Sequence, residues 1–390
     1  MDPIEKIEKL MKVAYLSESL IPSTMANTIH VMKMCKAFSE QGCNLDLLVP
    51  QIRNQEDSDY DLFEFYGVAP SFTLARVDKI PLLGPSFSYG IKCYRHLSRI
   101  RPNVVFSRSF YGSLFAVYAG FPIVFEFHQP ISDFGLRHTV LFRRLIKNKS
   151  FLGLVVVTKA LKDWYIKHFQ LPQEKVFVAA DGADLPSSSY DLHENIDLSD
   201  ISKAGHNVAY VGALYDGKGM EIVLPLAHNC PDVNFHIVGG RTQDIEHWKT
   251  KAVDLKNIFF HGFYPHAQVF SIMKKMDVLL APNLTSMKGY GGINDIGKWT
   301  SPLKLFEYMA AKKPILASDI EVLKEVLVHE KNSILCDPDD NEAWRAGLRR
   351  LLNDRKLAEK LTSKAFADLA EKYTWSKRAE TLLAFIKSRL

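Results

Sequence analysis

The sequence predicts an α/β protein with two parallel-sheet domains in series, and two observations carry this prediction. Short apolar runs alternate with amphipathic helical patterns along the whole chain, which is typical of parallel sheets with crossover helices. A polar stretch over residues 186–206 interrupts this alternation and is predicted to be a linker. The chain has 390 residues, of which 47% are hydrophobic and 24% charged, so it is long enough to form two separate cores.

Twelve apolar runs are predicted to be strands. Six precede the linker and six follow it, in the order KVAYLS, LDLLVP, NVVFSR, IVFEFH, GLVVVT, KVFVAA, NVAYVG, NFHIVGG, IFFHG, DVLLAP, PILAS and SILCD. We therefore expect an amino-terminal domain over residues 1–185 and a carboxy-terminal domain over 207–375. The last residues, 376–390, predict an amphipathic helix capped by Ser376, which is expected to pack back on the amino-terminal domain.

Composition limits the ligands and the cellular location that we expect for the protein. The net charge of +5 and the pI near 8.7 are too mild for a dedicated nucleic-acid binder but suit anionic ligands or an anionic lipid surface. Five scattered cysteines without metal-ligand spacing favour a reducing cytoplasm and no structural metal. The uncharged run over 109–125 is broken by Gly120 and Pro122, so it predicts a helix and a buried strand rather than a membrane span. We expect a cytoplasmic protein, either soluble or peripheral at the inner face of the membrane.

The segment SPLKLFEYMAAKKPILAS, residues 301–318, predicts a helix followed by a buried strand. Ser301 is expected to cap this helix and Pro302 to be its first residue. Helix amino termini attract anions, so a phosphate there would meet Lys304, while Glu307 would accept hydrogen bonds from hydroxyl groups such as those of a ribose. The alternative is an ordinary surface pair of Lys304 and Glu307 at helical spacing.

A glycine-rich turn, GALYDGKG over residues 212–219, joins a predicted strand to a helix. Glycines allow a backbone to approach phosphate closely, and Lys218 adds positive charge. The spacing resembles that of a P-loop, but Gly219 stands where a hydroxyl residue should hold magnesium, which argues against an ATPase. The turn is also compatible with a purely structural role.

Polar residues at strand ends offer further candidates. The strand PIVFEFHQP delivers Glu126 and His128 to its carboxyl end, where His128 could donate a hydrogen bond to a sugar hydroxyl or serve as a core histidine. Asn27, in the loop after the first strand, is a candidate acceptor contact or part of an ordinary crossover. Two aspartate pairs, Asp181 with Asp184 and Asp337 with Asp339, suit either turns or a metal-binding Asp-x-Asp pair, the latter being the weaker alternative.

A basic segment over residues 137–149 interleaves arginine and lysine with large apolar residues. This pattern suits a membrane interface that carries anionic lipid. A solvated helix face over a core-packing stripe explains it equally well.

Taken in order, these segments resemble glycosyltransferase family 4, whose GT-B fold has two Rossmann-like domains facing each other across a cleft. The resemblance rests on IVFEFHQP, YVGALYDGKGMEIVLPLA, FHIVGG and SPLKLFEYMAAKKPILAS and covers nearly the whole chain. It implies retaining transfer from a nucleotide-diphosphate sugar without a metal or other cofactor. It also implies that His128 is catalytic beside the transferred sugar, that Lys218 contacts the diphosphate and that Glu307 binds the ribose. The donor-binding set is then Gly212, Lys218, Ser301, Leu303, Lys304 and Glu307.

The chain departs from the family pattern at two positions. Trp299 replaces a frequent glutamate, and Ala213 replaces a frequent arginine of the donor loop. Lys304 is a candidate to replace the lost charge, and Asn294 and Asp295 are candidate sugar contacts.

The predicted function is a hexosyl or N-acetylhexosaminyl transfer to a lipid- or polysaccharide-linked acceptor in cell-surface glycan assembly. Two alternatives stay open, namely a nucleotide-sugar-binding protein without transferase activity and a GT-B sugar-nucleotide epimerase. The predicted partners are a nucleotide sugar and a glycan or lipid-linked acceptor, and an anionic membrane surface contacted through 137–149 is a further candidate. Glu126 and Asn27 are the acceptor-side candidates.

Overall fold

The computed structural model describes residues 10–51, 62–78, 80, 83–186, 204–287 and 295–390, with the backbone alone at 266 and 267. The chain divides into two compact units. The described residues of the first unit fall within Met1–Val156, Trp164–Ala179 and Ala379–Leu390, and those of the second within Val157–Asp163 and Ala180–Arg378.

The first sheet has seven parallel strands in the order β3-β2-β1-β4-β5-β6-β7. Its strands are β1 Lys12–Leu16, β2 Asn44–Pro50, β3 Thr73–Val77, β4 Val104–Ser107, β5 Ile123–Glu126, β6 Phe151–Val156 and β7 Val176–Val178. The helices between these strands are α1 Ala26–Glu40, α2 Leu62–Phe65, α3 Pro85–Ile100, α4 Phe110–Tyr118, α5 Leu136–Ile146 and α6 Lys159–Phe169, with 3₁₀ turns at Ile131–Phe134 and Gln173–Lys175.

The second sheet has six parallel strands in the order β10-β9-β8-β11-β12-β13. Its strands are β8 His206–Val211, β9 Val233–Val238, β10 Ile258–Gly262, β11 Val278–Ala281, β12 Ile315–Ser318 and β13 Ile334–Cys336. The remaining helices are α7 Met220–Asn229, α8 Thr242–Lys251, α9 His266–Lys274, α10 Leu303–Ala310, α11 Glu321–Lys324, α12 Asn341–Asn353, α13 Arg355–Asp368 and α14 Trp375–Lys387, with a π turn at Leu369–Tyr373.

In each sheet the strand order reverses once, between β1 and β4 in the first and between β8 and β11 in the second. Ligands of open parallel sheets bind beyond the carboxyl ends of the strands at such reversals. The loops that follow β1, β4, β5, β8 and β11 are therefore the places where a site is expected.

All twelve predicted strands are present, and the prediction of two parallel-sheet domains is confirmed. The prediction missed β3, an edge strand that pairs with β2 alone and buries Val77 but leaves Thr73 and Arg76 exposed. An edge strand needs little apolar sequence because one long side faces away from the sheet. The uncharged run over 109–125 forms α4 and β5, as predicted, and no described helix is long and apolar enough to span a membrane.

Two predicted helix caps are wrong. Helix α10 begins at Leu303 after Pro302, and Ser301 Oγ accepts a hydrogen bond from the Asp181 backbone N–H instead of capping the helix. Helix α14 begins at Trp375, and Thr374 Oγ1 is the group that accepts from its first turn, through the Lys377 N–H. At α14 the preceding threonine takes the capping role that local sequence rules assign to serine, whereas α10 begins after Pro302 without a side-chain cap.

The unit boundaries differ from the predicted boundary at residue 185. The backbone N–H of Ala183 donates to the Tyr373 carbonyl, which ties the segment after β7 to the second unit. The end of α14 packs within the first unit, where the Phe385 ring lies 5.0 Å from the ring of Phe177. Gly153 on β6 makes room for it, since a Cβ there would lie 2.6 Å from the Phe385 ring.

Candidate functional site

The glycine-rich turn joins β8 to α7 at the strand-order reversal of the second sheet. Gly217 and Gly219 have positive φ angles of 81° and 113°, which favour glycine. A Cβ at Gly217 would lie 2.8 Å from Met287 Cα, and one at Gly219 would lie 2.7 Å from the Pro282 carbonyl carbon. The glycines therefore allow the turn to pack against the loop that follows β11.

Two backbone N–H groups of this turn already have an acceptor. Gly217 N and Gly219 N donate to the Glu221 carboxylate at 2.9 and 3.2 Å. A P-loop leaves such groups open to phosphate, so Gly217 and Gly219 do not form a phosphate cradle of that kind. The positive charge for an anion must come from side chains.

Two lysines provide that charge. Burial lowers the pKa of Lys218 to about 8, and its Nζ lies 5.1 Å from the centre of the Tyr215 ring. The Nζ of Lys304, on the first turn of α10, lies 3.8 Å from the centre of the Tyr210 ring, is buried and has no hydrogen-bond partner among the described residues. Burial holds the pKa of Lys304 well below its usual value, the charge of Lys218 lowers it further, and Glu307 raises it.

Lys304 also reaches the start of the glycine turn. A Cβ added to Gly212 would lie 3.2 Å from Lys304 Nζ, so the ammonium group lies beside this backbone. Tyr210 in turn donates from its hydroxyl to the Ala213 carbonyl at 2.5 Å. The structure thus brings together Gly212, Lys218 and Lys304, and an ammonium without an acceptor in such a place is suited to bind an anion.

Hydrogen bonds of Tyr308 fix the position of helix α10. Its hydroxyl accepts from the Val211 N–H at 3.0 Å and donates to the Leu280 carbonyl at 3.1 Å, which joins the helix to both strands of the reversal. Half-buried Glu307 precedes it and is three residues from Lys304. Leu303 is the first residue of the helix and is half-buried, and the half-buried Ser301 accepts a hydrogen bond from the Asp181 N–H, which leaves its own O–H available as a donor.

Asp295 shapes the loop after β11. Its Oδ1 accepts from the N–H groups of Met287 and Gly297, and its Oδ2 accepts from the Ser286 hydroxyl. Burial would raise the pKa of Asp295, but these hydrogen bonds outweigh it and lower the pKa. The carboxylate is thus engaged by its own loop, and the other candidate sugar contact, Asn294, lies outside the described residues.

Asp337 and Asp339, the candidate metal-binding pair after β13, form a turn. Asp337 Oδ1 accepts from the Asp339 N–H, and Asp340 caps α12 by accepting from the Ala343 N–H. These local bonds account for the acidic residues after β13.

A second group of polar side chains lies at the carboxyl ends of β4 and β5 in the first unit. Glu126, the last residue of β5, is fully buried. Its Oε1 lies 2.5 Å from His128 Nε2 and 3.0 Å from Nε2 of buried His30 on α1. Arg108, just after β4, places Nη2 3.3 Å from His128 Nδ1 and Nε 3.9 Å from the same Glu126 oxygen.

This burial changes the interpretation of Glu126. A carboxylate with no exposed surface that is hydrogen-bonded to one imidazole and lies 3.0 Å from a second does not contact a glycosyl acceptor directly. Of the predicted pair, only His128 is partly open, with 27% of its side chain exposed. Asn27 is exposed on the first turn of α1, where its Nδ2 donates to Ser19 Oγ.

His30, Glu126 and His128 offer the ligand types that a divalent metal prefers, with ligand atoms within 4.8 Å of one another. The surroundings do not fit a metal. A histidine bound to metal through Nε2 carries its proton on Nδ1 and donates it to an acceptor. Here His128 Nδ1 faces Arg108, which only donates and which adds a positive charge beside the site.

Three of these groups were not recognised in the sequence: His30, Arg108 and Tyr308. His30 lies in an apolar helix, and Arg108 follows a strand as any loop arginine does. What identifies these two residues is their contact with Glu126, and that contact can be predicted only when the order of the strands in the sheet is known. Tyr308 falls within a regular apolar stripe and offers no distinguishing signal.

Comparison with known proteins covers both units. Residues 28–186 match the family model described as Glycosyltransferase Family 4, and residues 196–368 match the model described as Glycosyl transferases group 1. An uncharacterized glycosyltransferase of Methanocaldococcus jannaschii is 25% identical over 240 residues, which cover 58% of this chain and 57% of that protein. The phosphatidyl-myo-inositol mannosyltransferase of Mycolicibacterium smegmatis is 26% identical over 267 residues, or 65% of this chain and 62% of that protein.

The matches to these two relatives thus cover less than two thirds of their length. Among solved structures, the Anabaena protein Alr3699/HepE in complex with UDP-glucose superposes with a TM-score of 0.70 at 16% identity. That superposition covers 97% of this chain and all of the other. At this identity the likeness establishes the fold.

Proposed function

Because the chain is a glycosyltransferase of the family 4 type with the GT-B fold, we propose that it transfers a sugar from a nucleotide-diphosphate donor to a lipid- or polysaccharide-linked acceptor. The observation that carries the donor part is the pair of half-buried lysines, Lys218 and Lys304, at the reversal of the second sheet, where Lys304 Nζ is buried beside Gly212 without a hydrogen-bond partner among the described residues. A diphosphate supplies the negative charge that these ammonium groups lack. The proposed sugar is a hexose or N-acetylhexosamine, transferred with retention in cell-surface glycan assembly.

The proposed chemistry requires no protein nucleophile and no metal. As the bond between the sugar and the diphosphate breaks, negative charge develops on the leaving phosphate, and Lys218 and Lys304 stabilise it in a site with little water. The leaving phosphate then helps to deprotonate the acceptor hydroxyl on the same face of the sugar. His128 is the proposed catalytic contact to the sugar, and Leu303 and Gly212 are proposed to line the donor site.

The ribose contact of Glu307 gives a first test. We expect Glu307→Gln to weaken UDP binding about tenfold, because a hydrogen bond to a charged group contributes about 1.5–3 kcal/mol. Isothermal titration calorimetry measures this loss with UDP and with 2′,3′-dideoxy-UDP. The substitution should have no further effect on the dideoxy nucleotide, since the groups that Glu307 binds are absent from it.

Glu321→Gln is the matched control, because Glu321 is 90% exposed and lies on the neighbouring helix α11. Equal losses for both nucleotides would contradict a ribose contact.

The same titration with UDP, GDP and ADP identifies the base. UDP is the first choice, because a fold relative was solved with UDP-glucose bound.

We also propose that α5 brings the enzyme to an anionic membrane surface. The helix buries Phe142 and Leu145 but exposes 79% of Leu136 and 41% of Val140 beside its arginines. Large apolar residues next to basic ones are the features of an interfacial helix. The location that follows is the cytoplasm, peripheral at the inner face of the membrane.

The double variant Arg137→Gln and Arg144→Gln is expected to weaken binding to vesicles of phosphatidylglycerol about 30-fold, since each basic residue contributes about 1 kcal/mol. Vesicle sedimentation measures this loss. The control removes two exposed lysines of the second unit, Lys331→Gln with Lys356→Gln. Equal effects of the two pairs would contradict a specific role for α5.

One alternative retains support from the sequence. Trp299 and Ala213 depart from the family pattern, which would suit a protein that binds a nucleotide sugar without transferring it. Release of UDP from UDP-sugar in the presence of acceptor distinguishes the two, because a binding protein retains affinity and produces no UDP. An epimerase would instead produce free sugar or its epimer without any acceptor.

A further inference from the structure

We propose that Glu126 is a positioning residue that holds His128 as the Nε2–H tautomer, so that His128 presents Nδ1 to the sugar donor as a hydrogen-bond acceptor. This inference rests on the proposed function for its substrate. Its structural basis is the group of four side chains at the ends of β4 and β5, namely His30, Arg108, Glu126 and His128.

The first step of the argument concerns the Nε2 side of the ring. An ionised carboxylate only accepts hydrogen bonds, so Nε2 of His128, 2.5 Å from Glu126 Oε1, must carry a proton. Glu126 is fully buried and has Arg108 and His30 around it, and these nitrogen groups stabilise its negative charge. The position of the proton on His128 is therefore set by a residue that no substrate touches.

The second step concerns the Nδ1 side. A guanidinium group has five N–H donors and no acceptor, so a proton on Nδ1 would face another donor at 3.3 Å. The arrangement therefore selects the neutral ring with a lone pair on Nδ1. Arg108 and Glu126 enforce the same tautomer from opposite sides of His128.

The third step concerns access. The His128 side chain is 27% exposed and that of Arg108 is 14% exposed, whereas Glu126 and His30 are buried. The open part of the group is thus its His128–Arg108 side. There Nδ1 can accept from a sugar hydroxyl that takes the place of the long contact to Arg108. This reverses the sequence-based expectation that His128 donates to a hydroxyl.

The proposal is tested by NMR on the full-length protein labelled with ¹⁵N-histidine. The expected spectrum shows a protonated Nε2 and an unprotonated Nδ1 for His128, with the resonance assigned by its loss in His128→Asn. In Glu126→Gln the carboxamide can also donate, so we expect a mixture of tautomers. A wild-type ring protonated on Nδ1, or an unchanged tautomer in Glu126→Gln, would overturn the proposal.

The second measurement uses donor analogues in which each sugar hydroxyl in turn is replaced by fluorine. Fluorine accepts weakly but cannot donate, so replacing the hydroxyl that binds Nδ1 should lower kcat/KM about tenfold in the wild type. The same replacement should cost less than twofold in Glu126→Gln. Fluorine losses that are the same in the wild type and in Glu126→Gln would contradict the proposal.

Glu325→Gln is the control for removal of a structural carboxylate. Glu325 accepts from the N–H groups of Lys159 and Ala160 and lies outside this group. It should leave the His128 spectrum unchanged. If Glu126→Gln does not fold, Arg108→Met serves as the second variant: the Glu126 carboxylate still only accepts, so the ring should keep the Nε2–H tautomer, and a mixture of tautomers there would show that Arg108 rather than Glu126 holds the proton and would overturn the proposal.

The NMR measurement and the kinetic measurement also distinguish a failure of this proposal from a failure of the proposed function. The NMR arm requires no activity, so a protein that shows the expected tautomer but no sugar transfer supports the positioning role and contradicts the transferase. Retained UDP affinity in Glu126→Gln is expected in either case, because the lysines that carry the diphosphate are in the second unit.

Discussion

Lys304→Met is expected to weaken the binding of a nucleotide diphosphate about 100-fold and, at the same time, to stabilise the unliganded protein by about 1 to 2 kcal/mol. The affinity falls because a buried ammonium makes a strong charge-assisted contact to phosphate. The stability rises because Lys304 Nζ is buried against Tyr210 without a hydrogen-bond partner among the described residues. Replacing a buried amino group that has no hydrogen-bond partner by an apolar side chain of similar length removes its desolvation cost, which we expect to exceed the lost contacts to Tyr210 and Glu307.

Calorimetry with UDP and urea denaturation without ligand measure the two effects. Lys251→Met is the matched control, because Lys251 also lies over an aromatic ring, with Nζ 4.5 Å from the Trp248 centre, but is exposed. It should change neither quantity by much. A Lys304→Met protein that binds UDP normally would remove Lys304 from the diphosphate site, and a loss of stability would show that its charge is compensated.

Gly219→Ala is expected to lower the free energy of unfolding by about 3 kcal/mol and to abolish measurable nucleotide binding. A left-handed backbone costs a residue with a Cβ about 1–2 kcal/mol, and overlap with neighbours adds about 1–3 kcal/mol. At Gly219 both apply, since φ is 113° and the new Cβ would overlap the Pro282 carbonyl. To relieve the overlap, the turn must move away from the loop after β11, and Lys218 moves with it.

Gly120→Ala isolates the backbone contribution. Gly120 has a φ of 85°, but a Cβ there meets nothing within 4 Å. It should lose about 1 kcal/mol and leave UDP binding intact. Urea denaturation and calorimetry compare the two variants, and similar losses in both would mean that packing against Pro282 contributes little.

The proposed donor site illustrates how far local patterns extend. The glycine spacing and the sequence after Ser301 identified Gly212, Lys218, Lys304 and Glu307 as one candidate group, and the structure brings Gly212, Lys218 and Lys304 together. The same patterns predicted that Ser301 caps α10, which is wrong, because the helix begins after Pro302. They also left a structural role open for the turn, in which the N–H groups of Gly217 and Gly219 donate to Glu221.

The sequence by itself determined the strands, the two parallel sheets and the family resemblance, because these depend on short-range periodicity and on motifs of a few residues. The missed strand β3 lies at an edge, where burial leaves little apolar pattern. Local sequence also placed Lys218 in the turn after β8 and Lys304 at the start of α10, although it left their environment open.

Only the tertiary structure decided what the polar residues of the first unit do. Residues 30, 108, 126 and 128 meet because the sheet order places β4 between β1 and β5, and periodicity carries no information about that order. Packing of the surrounding elements buries Glu126. Because it is buried, Glu126 does not contact the glycosyl acceptor, as the sequence suggested, but binds His128 instead. The direction of a hydrogen bond at His128 depends on which donors and acceptors surround its ring, and these come from separate parts of the chain.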